Sequence, residues 1–135
     1  MKQFVVFMFA FFTLTCQSKA QENQDEHLLD GTSMNYYYQN GSAVQVEFYD
    51  GQAKWKWIAG PWKGAVGLEK YRSRKIGDKM YIVNFLEEGS STFVTIIFNF
   101  NQNVMYVSAL IAPRTDQEEI FFDGGIIEQL KLVEN

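Results

Sequence analysis

The chain has 135 residues, with 12 basic and 16 acidic side chains and a formal net charge of −4, a length that fits one domain with one core. The acidic balance disfavours nucleic acid and anionic membranes as partners. One histidine and one cysteine are too few for a histidine-based metal cluster, and His27 lies in a polar stretch remote from any strand pattern. We therefore expect no metal site and no cofactor.

The first twenty residues have the pattern of a secretory signal peptide. Lys2 supplies a positive start, Phe4 to Phe12 is an apolar run, and Ser18-Lys19-Ala20 offers the small residues that precede a cut. The apolar run is shorter than the roughly 20 residues that a membrane-spanning helix needs, so we expect no membrane span. Cleavage after Ala20 predicts an exported protein, periplasmic or secreted.

Cys16 supports a competing interpretation, in which a lipoprotein peptidase cuts before it and a lipid anchors the protein there. The preceding Thr13-Leu14-Thr15 fits the usual lipobox poorly, because leucine is expected one place earlier and a small residue next to the cysteine. Ordinary cleavage is therefore favoured. Residues 21–32 follow as a predicted flexible polar leader, and residues 33–135 as the folded domain.

Beyond residue 33, short alternating runs are separated by turn residues, which is typical of an antiparallel barrel or sandwich. The predicted strands are Tyr36 to Tyr38, Ala43 to Tyr49, Lys54 to Ile58, Ala65 to Ile76, Met80 to Glu87, Thr92 to Phe100, Val104 to Ala112, Ile120 to Phe122 and Ile126 to Val133. The last of these runs also satisfies a short helical period, so it could be a helix instead.

Two hairpins are predicted early in the domain. Asn40-Gly41 and Asp50-Gly51 lie between alternating runs, and such pairs tolerate the positive φ that tight hairpin turns need. Because side chains alternate along a strand, Tyr36 and Tyr38 point to the same side. Two phenolic hydroxyls on one side are suited to holding the polar end of a small molecule, although strand tyrosines are also common without such a role.

The same alternation groups two further sets of side chains. Trp55 and Trp57 share one face of their strand, where they fit either a core or a ligand platform. Tyr81, Phe85 and Glu87 share one face of a later strand, which sends a carboxylate to the apolar side. Glu87 could equally lie solvated in the following turn, since glutamate is seldom buried unless paired.

Eight or nine short antiparallel strands favour a closed barrel, because closure removes the exposed sheet edges and leaves room for one small ligand. We predict an all-β fold, a single antiparallel up-and-down barrel of lipocalin-like, calycin type, in preference to an immunoglobulin-type sandwich. Its predicted partner is a small apolar or aromatic molecule, and the sequence leaves monomer and homodimer open.

Tyr36-x-Tyr38-x-Asn40-Gly41, an aromatic strand reaching Gly60, and Tyr81-x-Val83-x-Phe85-x-Glu87 together resemble the pattern shared by bacterial phenolic acid decarboxylases and MoaF-like proteins. The resemblance covers roughly residues 34–111. It implies a lipocalin-like barrel that binds a small aromatic acid, or another ligand, in its interior. It also implies that Tyr36 and Tyr38 hold the polar end of the ligand and that Glu87 is the acid.

Two positions depart from the decarboxylase pattern. The family arginine that follows the second glycine after the aromatic strand falls on Ala65, and a further active-site tyrosine falls on Val44. Lys63 is close in sequence to the arginine position, but lysine lacks the bidentate guanidinium fork. Without that arginine, a buried carboxylate ligand would lack a charge partner.

Two functions follow. The favoured one is an exported protein that binds a small molecule inside its barrel. The alternative is a cofactor-free decarboxylase or other lyase acting on phenolic acids, with Glu87 as general acid, since a carboxyl group among apolar side chains retains its proton more readily, and with Tyr36 and Tyr38 as the other catalytic residues. The predicted ligand-binding residues are Tyr36, Tyr38, Trp55, Trp57, Tyr81, Phe85 and Glu87.

Overall fold

A computed structural model describes residues 26–134, and these form an eight-stranded barrel. The strands are β1 (Ser33–Tyr38), β2 (Ala43–Tyr49), β3 (Gln52–Ala59), β4 (Val66–Gly77), β5 (Met80–Glu87), β6 (Thr92–Asn99), β7 (Val104–Ile111) and β8 (Glu119–Lys131). Each strand pairs antiparallel with the next, and β8 pairs with β1 to close the barrel. The predicted all-β, up-and-down barrel is confirmed.

Both predicted hairpin turns are present. At the first, Gly41 has a φ of 85° and its backbone N–H donates to the Tyr38 carbonyl at 3.2 Å. The Asn40 side chain accepts from the backbone N–H of Ser42 at 2.9 Å, which closes the turn locally. At the second, Asp50 and Gly51 have φ values of 50° and 70°. Positive φ at these positions is what the turn chemistry requires.

The last two predicted strands are one strand in the structure, and the helical alternative for residues 126–133 is wrong. β8 runs without interruption through Asp123-Gly124-Gly125, which the sequence indicated as a turn. Gly125 pairs with Tyr38 across the barrel seam, and a Cβ on it would lie 2.4 Å from the Tyr37 carbonyl oxygen. The glycine therefore permits close approach of β8 to β1. The barrel has eight strands for this reason.

The interior is filled by alternate side chains from every strand, as a pleated sheet requires. We call the half of the barrel nearest the β2–β3, β4–β5 and β6–β7 turns the lower half. It is solid, with Phe48, Phe98 and Tyr71 almost completely buried. Phe98 stacks on Phe100 at a centroid distance of 5.7 Å, and Phe48 contacts Tyr71 edge-on at 4.8 Å. The closed end of the barrel is therefore a conventional aromatic core.

Residues 26–32 close this lower end. Leu29 has no exposed surface, and its backbone N–H donates to the Tyr71 hydroxyl at 3.2 Å. That hydroxyl donates in turn to Asp30 at 2.8 Å. The backbone N–H of Ser73 donates to the Glu26 carbonyl at 2.7 Å. This part of the predicted flexible leader is thus packed onto the barrel, because its apolar and hydrogen-bonding groups find partners there.

The predicted signal peptide, its cleavage site after Ala20, and Cys16 all lie outside the described residues. Three expectations therefore stay predictions: the division of the chain at residues 20 and 32, the export of the protein, and the lipid anchor. Within residues 26–134, no segment forms a helix of the length and hydrophobicity that a bilayer crossing needs.

Candidate functional site

The upper half of the barrel encloses a cavity of about 300 Å³ that opens at one end. This volume lies at the small end of the range for ligand pockets, roughly 300–1,000 Å³. Among residues 26–134, the lining is mostly apolar and contains no lysine, arginine or histidine. The lining residues are Tyr36, Tyr38, Val44, Trp55, Trp57, Trp62, Ala65, Phe85, Glu87, Ser90, Thr92, Val94, Ile96, Val107, Ala109, Ile111 and Phe121.

Two phenols of β1 form the polar centre of the cavity. Tyr36 and Tyr38 are 4% and 6% exposed, and their rings meet edge-on at 5.5 Å. The two hydroxyls lie close enough for each to affect the pKa of the other. Burial raises the pKa of both phenols, and the nearby Glu87 carboxylate raises them further. Both hydroxyls therefore remain protonated at neutral pH and can donate or accept hydrogen bonds.

Glu87 lies at the end of β5 and lines the same cavity. Its Oε2 accepts a hydrogen bond from the Ser90 hydroxyl at 2.9 Å. Burial raises the pKa of the Glu87 carboxyl above its usual value, and the neighbouring Glu69 raises it further, while the Ser90 hydrogen bond opposes both effects. The site therefore favours the protonated form of Glu87 more than water does.

A second carboxylate approaches from β4. The β4–β5 register pairs Tyr71 with Phe85, and continuing it by two residues brings Glu69 opposite Glu87. Burial raises the pKa of Glu69 as well; the charge of Glu88 raises it further, while a hydrogen bond from the Glu88 backbone opposes both effects. On the other side of the cavity, the Asp123 carboxylate raises the pKa of Tyr38. The polar groups around the cavity are therefore phenols, hydroxyls and carboxyls.

Four aromatic rings cover the mouth of the cavity. Tyr38 stacks on Trp57 at 5.8 Å, and Trp57 contacts Trp62 edge-on at 4.8 Å. Trp62 lies 6.1 Å from Phe121, which returns to Tyr38 at 5.5 Å. Each ring thus touches the next in a closed circuit. Trp62 is 46% exposed, so the cover faces solvent on its outer side.

The loop that carries Trp62 is held by backbone hydrogen bonds. The N–H of Gly64 donates to the Trp57 carbonyl at 2.9 Å, and the N–H of Trp57 donates to the Ala65 carbonyl at 2.9 Å. Gly60 and Gly64 both have positive φ, 95° and 97°, a conformation that glycine adopts without strain. These two glycines turn the chain back so that the indole reaches over the mouth.

Trp55 forms one wall of the cavity by lying across a glycine of the neighbouring strand. Gly67 is its cross-strand partner on β4, and a Cβ on Gly67 would be 2.2 Å from Cζ2 of the indole. The indole therefore occupies the space that any other residue at position 67 would need. Among the described residues, the buried Trp55 Nε1 has no hydrogen-bond partner.

Six of the seven predicted ligand-binding residues line this one cavity, and one does not. Tyr36, Tyr38, Trp55, Trp57, Phe85 and Glu87 all line it. Tyr81 is buried lower in the barrel, where its ring lies 5.8 Å from Phe100. Tyr81 and Glu87 share a face of β5, but six residues of strand separate them by about 20 Å.

Ala65 and Val44, the two positions that depart from the decarboxylase pattern, also line the cavity. Both departures therefore remove polar groups from the cavity itself, and the alanine leaves the carboxyl groups there without a cation among the lining residues.

Sequence reasoning missed Trp62, Phe121, Glu69 and Asp123 as neighbours of the site. Trp62 had one usable signal, an aromatic residue between two loop glycines. Glu69 shares strand parity with the buried Tyr71, which places it on the inner face. Asp123 was not recognised as a neighbour of the site, because Asp123-Gly124-Gly125 was predicted to be a turn. Among residues 26–134, no group of three or more histidine, cysteine, aspartate or glutamate side chains is arranged to hold a metal ion.

Fold and cavity together define a closed eight-stranded barrel with an aromatic-covered internal cavity. The chain belongs to the family of the MoaF N-terminal domain, whose family model matches residues 20–111. The barrel is also similar to the solved structure of a Burkholderia vietnamiensis protein provisionally described as a beta-lactamase, with a TM-score of 0.65 and 15% identity over 73% of this chain and 92% of that chain. At that identity the likeness shows the fold alone. No curated protein matches the sequence.

Proposed function

We propose that this protein is an exported binding protein that holds a small, uncharged, hydroxylated aromatic molecule inside its barrel. The observation that carries the proposal is the composition of the cavity: a pair of adjacent phenols and a carboxyl group lie among apolar walls, and no cation is among the described lining residues. The volume of about 300 Å³ fits a molecule with one aromatic ring.

The absence of a cation in the lining decides which ligands are excluded. A carboxylate buried without a charge partner is costly, and Glu87 beside it would add like-charge repulsion. A ligand hydroxyl has no such penalty, because Tyr36 and Tyr38 can both donate to it and accept from it. The aromatic walls supply apolar area and edge-to-face contacts for its ring.

A decarboxylase of phenolic acids is the second candidate, and one observation favours it. Glu87 has a raised pKa in the same cavity as the phenol pair, which is what a general acid near neutral pH requires. Ala65 stands against this candidate, because no cation lines the cavity to receive a substrate carboxylate. Binding is therefore the better-supported function.

A matched ligand pair tests the binding proposal. 4-Ethylphenol and 3-(4-hydroxyphenyl)propionic acid share a phenol ring and differ chiefly in the carboxylate. We expect tryptophan fluorescence to change saturably with the first and to change far less with the second. The Tyr36→Phe/Tyr38→Phe variant should bind 4-ethylphenol at least about tenfold more weakly, the equivalent of roughly 1.4 kcal/mol.

Tyr106→Phe is the matched control, because Tyr106 lies 55% exposed on the outside of the barrel. It should bind 4-ethylphenol as the wild type does. Equal affinity for the phenol and the acid would contradict the charge argument, and unchanged binding by the double variant would contradict the role of the phenol pair.

The enzymatic candidate is tested by incubating the protein with p-coumaric and ferulic acids and following the loss of substrate absorbance. We expect no turnover. Turnover that is abolished in Glu87→Gln would overturn the preference for binding and make Glu87 the acid.

Export is tested separately by expressing the full chain in a bacterial host and fractionating the cells. Mass spectrometry of the recovered protein should show an N-terminus at Gln21. A lipid-modified N-terminus at Cys16 would support the lipoprotein alternative instead.

A further inference from the structure

A large area on the outer surface of β5, β6, β7 and the first part of β8 carries no charged side chain. The outward side chains of β5, β6, β7 and β8 align in four complete cross-strand rows, which we call the uncharged wall. The rows are Leu86–Phe93–Leu110–Ile120, Asn84–Thr95–Ser108–Phe122, Ile82–Ile97–Tyr106–Gly124 and Met80–Asn99–Val104–Ile126. None of these residues is acidic or basic, and most are apolar.

Several of these side chains are large and open to solvent. Phe122 and Ile120 are 80% and 71% exposed, and Ile126, Tyr106 and Leu86 are each about half exposed or more. The strand register makes these side chains neighbours. Ile120 and Phe122 lie two residues apart on the same face of β8, and Leu110 on β7 pairs with Ile120. Single exposed apolar residues are ordinary on proteins, but a contiguous patch of this extent marks an interaction surface.

The opposite half of the barrel has a different outer surface. Lys54, Lys56, Lys70, Arg72 and Arg74 project outward and exposed from β3 and β4. Strand chemistry alone therefore does not account for the uncharged wall, because neighbouring strands of the same barrel carry charges on alternate positions. The uncharged wall is therefore a distinct surface.

We propose that the uncharged wall is the interface of a homodimer, in which the same wall of a second copy is the partner. A charge-free surface offers nothing for a charged partner to pair with, whereas a second copy presents an equally charge-free surface. A two-fold axis brings identical patches together in this way. The chain is acidic, with a net charge of −4, and this contact keeps the charged halves of the two copies apart.

The size of the wall is consistent with a stable dimer. Four strands of about eight residues span roughly 19 by 26 Å, since strands lie about 4.8 Å apart and rise about 3.3 Å per residue. Projecting side chains such as Phe122 enlarge the accessible area beyond that flat outline. The flat outline is about 500 Å², and the projecting side chains bring the accessible area of the wall toward the ~800 Å² per partner found in standard interfaces.

Sedimentation velocity of the purified protein, over concentrations up to its solubility limit, tests the proposal. We expect a dimer for the wild type and a monomer for Ile120→Lys/Phe122→Lys, because each charge would be buried unpaired against its symmetry mate. Val66→Lys is the control: Val66 is 66% exposed on β4, outside the uncharged wall, and this variant should remain dimeric.

Far-ultraviolet circular dichroism checks that each variant is folded, and Tyr106→Lys replaces the double variant if that one is not. A wild-type monomer would overturn the proposal, as would a folded double variant that is still a dimer. A monomer that co-sediments with phosphatidylcholine vesicles through the same residues would also overturn it, and would make the wall a lipid-binding surface. These outcomes are independent of whether the cavity binds 4-ethylphenol.

Discussion

At the scale of single residues, the buried and adjacent phenols of Tyr36 and Tyr38 form the centre of the site. Strand parity alone predicted that both phenols and Glu87 would face inward, because alternation is fixed by the pleat. Alternation fixes the face of the sheet on which a side chain lies, but not its height along the barrel axis. Tyr81 therefore shares the inner face of β5 with Glu87, yet it lies in the lower core. Alternation also does not give cross-strand partners, which is why Glu69 was missed.

The phenol pair leads to a prediction about stability. We expect the two adjacent hydroxyls to share a hydrogen bond, so Tyr36→Phe and Tyr38→Phe should each leave one buried hydroxyl without that partner, at a cost of about 1–3 kcal/mol. The double variant removes both hydroxyls, so it should cost less than the sum of the two single variants. Urea unfolding of all four proteins measures this cycle. Strict additivity would show that the two hydroxyls do not share a hydrogen bond.

Glu87 leads to a prediction about pH. Because its folded pKa is raised, the folded protein keeps this proton over a pH range in which the unfolded chain has lost it. The stabilising contribution is complete below the unfolded pKa and is lost as pH rises through the folded one. Glu87→Gln should therefore unfold at a higher temperature than the wild type at neutral pH, with the difference shrinking toward acidic pH.

Thermal unfolding of Glu87→Gln and the wild type across the acidic to neutral range checks this sign. Glu47→Gln, an exposed position on β2, is the control and should follow the wild type. A difference between Glu87→Gln and wild type that grows on acidification would mean that Glu87 is stabilised as a carboxylate.

At the scale of elements, glycines account both for the two hairpin turns that were predicted correctly and for the turn at residues 123–125 that was predicted wrongly. Asn40-Gly41 and Asp50-Gly51 are turns, as predicted, because the positive φ at Gly41, Asp50 and Gly51 matches turn chemistry. Gly124 and Gly125 lie inside β8 instead, because the chain needs them for close contact with Tyr37 and Tyr106. Composition cannot separate these two uses of glycine, so the strand count stayed at eight or nine.

Gly67 supplies an element-scale test of the cavity wall. In Gly67→Ala, the new methyl group would overlap the Trp55 indole, so the ring must move from its position in the wall. We expect altered near-ultraviolet circular dichroism and weakened binding of 4-ethylphenol. Gly89→Ala is the control, because a Cβ there meets nothing within 4 Å. Unchanged spectra in Gly67→Ala would contradict the described packing.

The segment 26–32 is expected to behave as part of the barrel. Leu29→Ala removes a side chain with no exposed surface, and we expect a loss of about 2–5 kcal/mol in the free energy of unfolding. Leu68→Ala, at a position 47% exposed on β4, should cost far less. Equal effects of the two substitutions in urea unfolding would contradict the packing of this segment onto the barrel.

At the scale of the whole molecule, the barrel divides its interior into two parts. Large aromatic side chains fill the lower half, while the upper half is hollow under its cover of four rings. The sequence predicted the barrel because regular strand spacing and turn signals are local. It could not predict where filling stops and the cavity begins, because that depends on how side chains from all eight strands meet.

The most direct test of ligand binding in the cavity is a crystal structure of the protein grown with 4-ethylphenol. We expect the ligand ring inside the upper cavity, between the aromatic walls, with its oxygen within hydrogen-bonding distance, about 2.5–3.0 Å, of the Tyr36 or Tyr38 hydroxyl. A cavity that remains empty while the ligand binds elsewhere, or a ligand whose oxygen points away from both phenols, would contradict it.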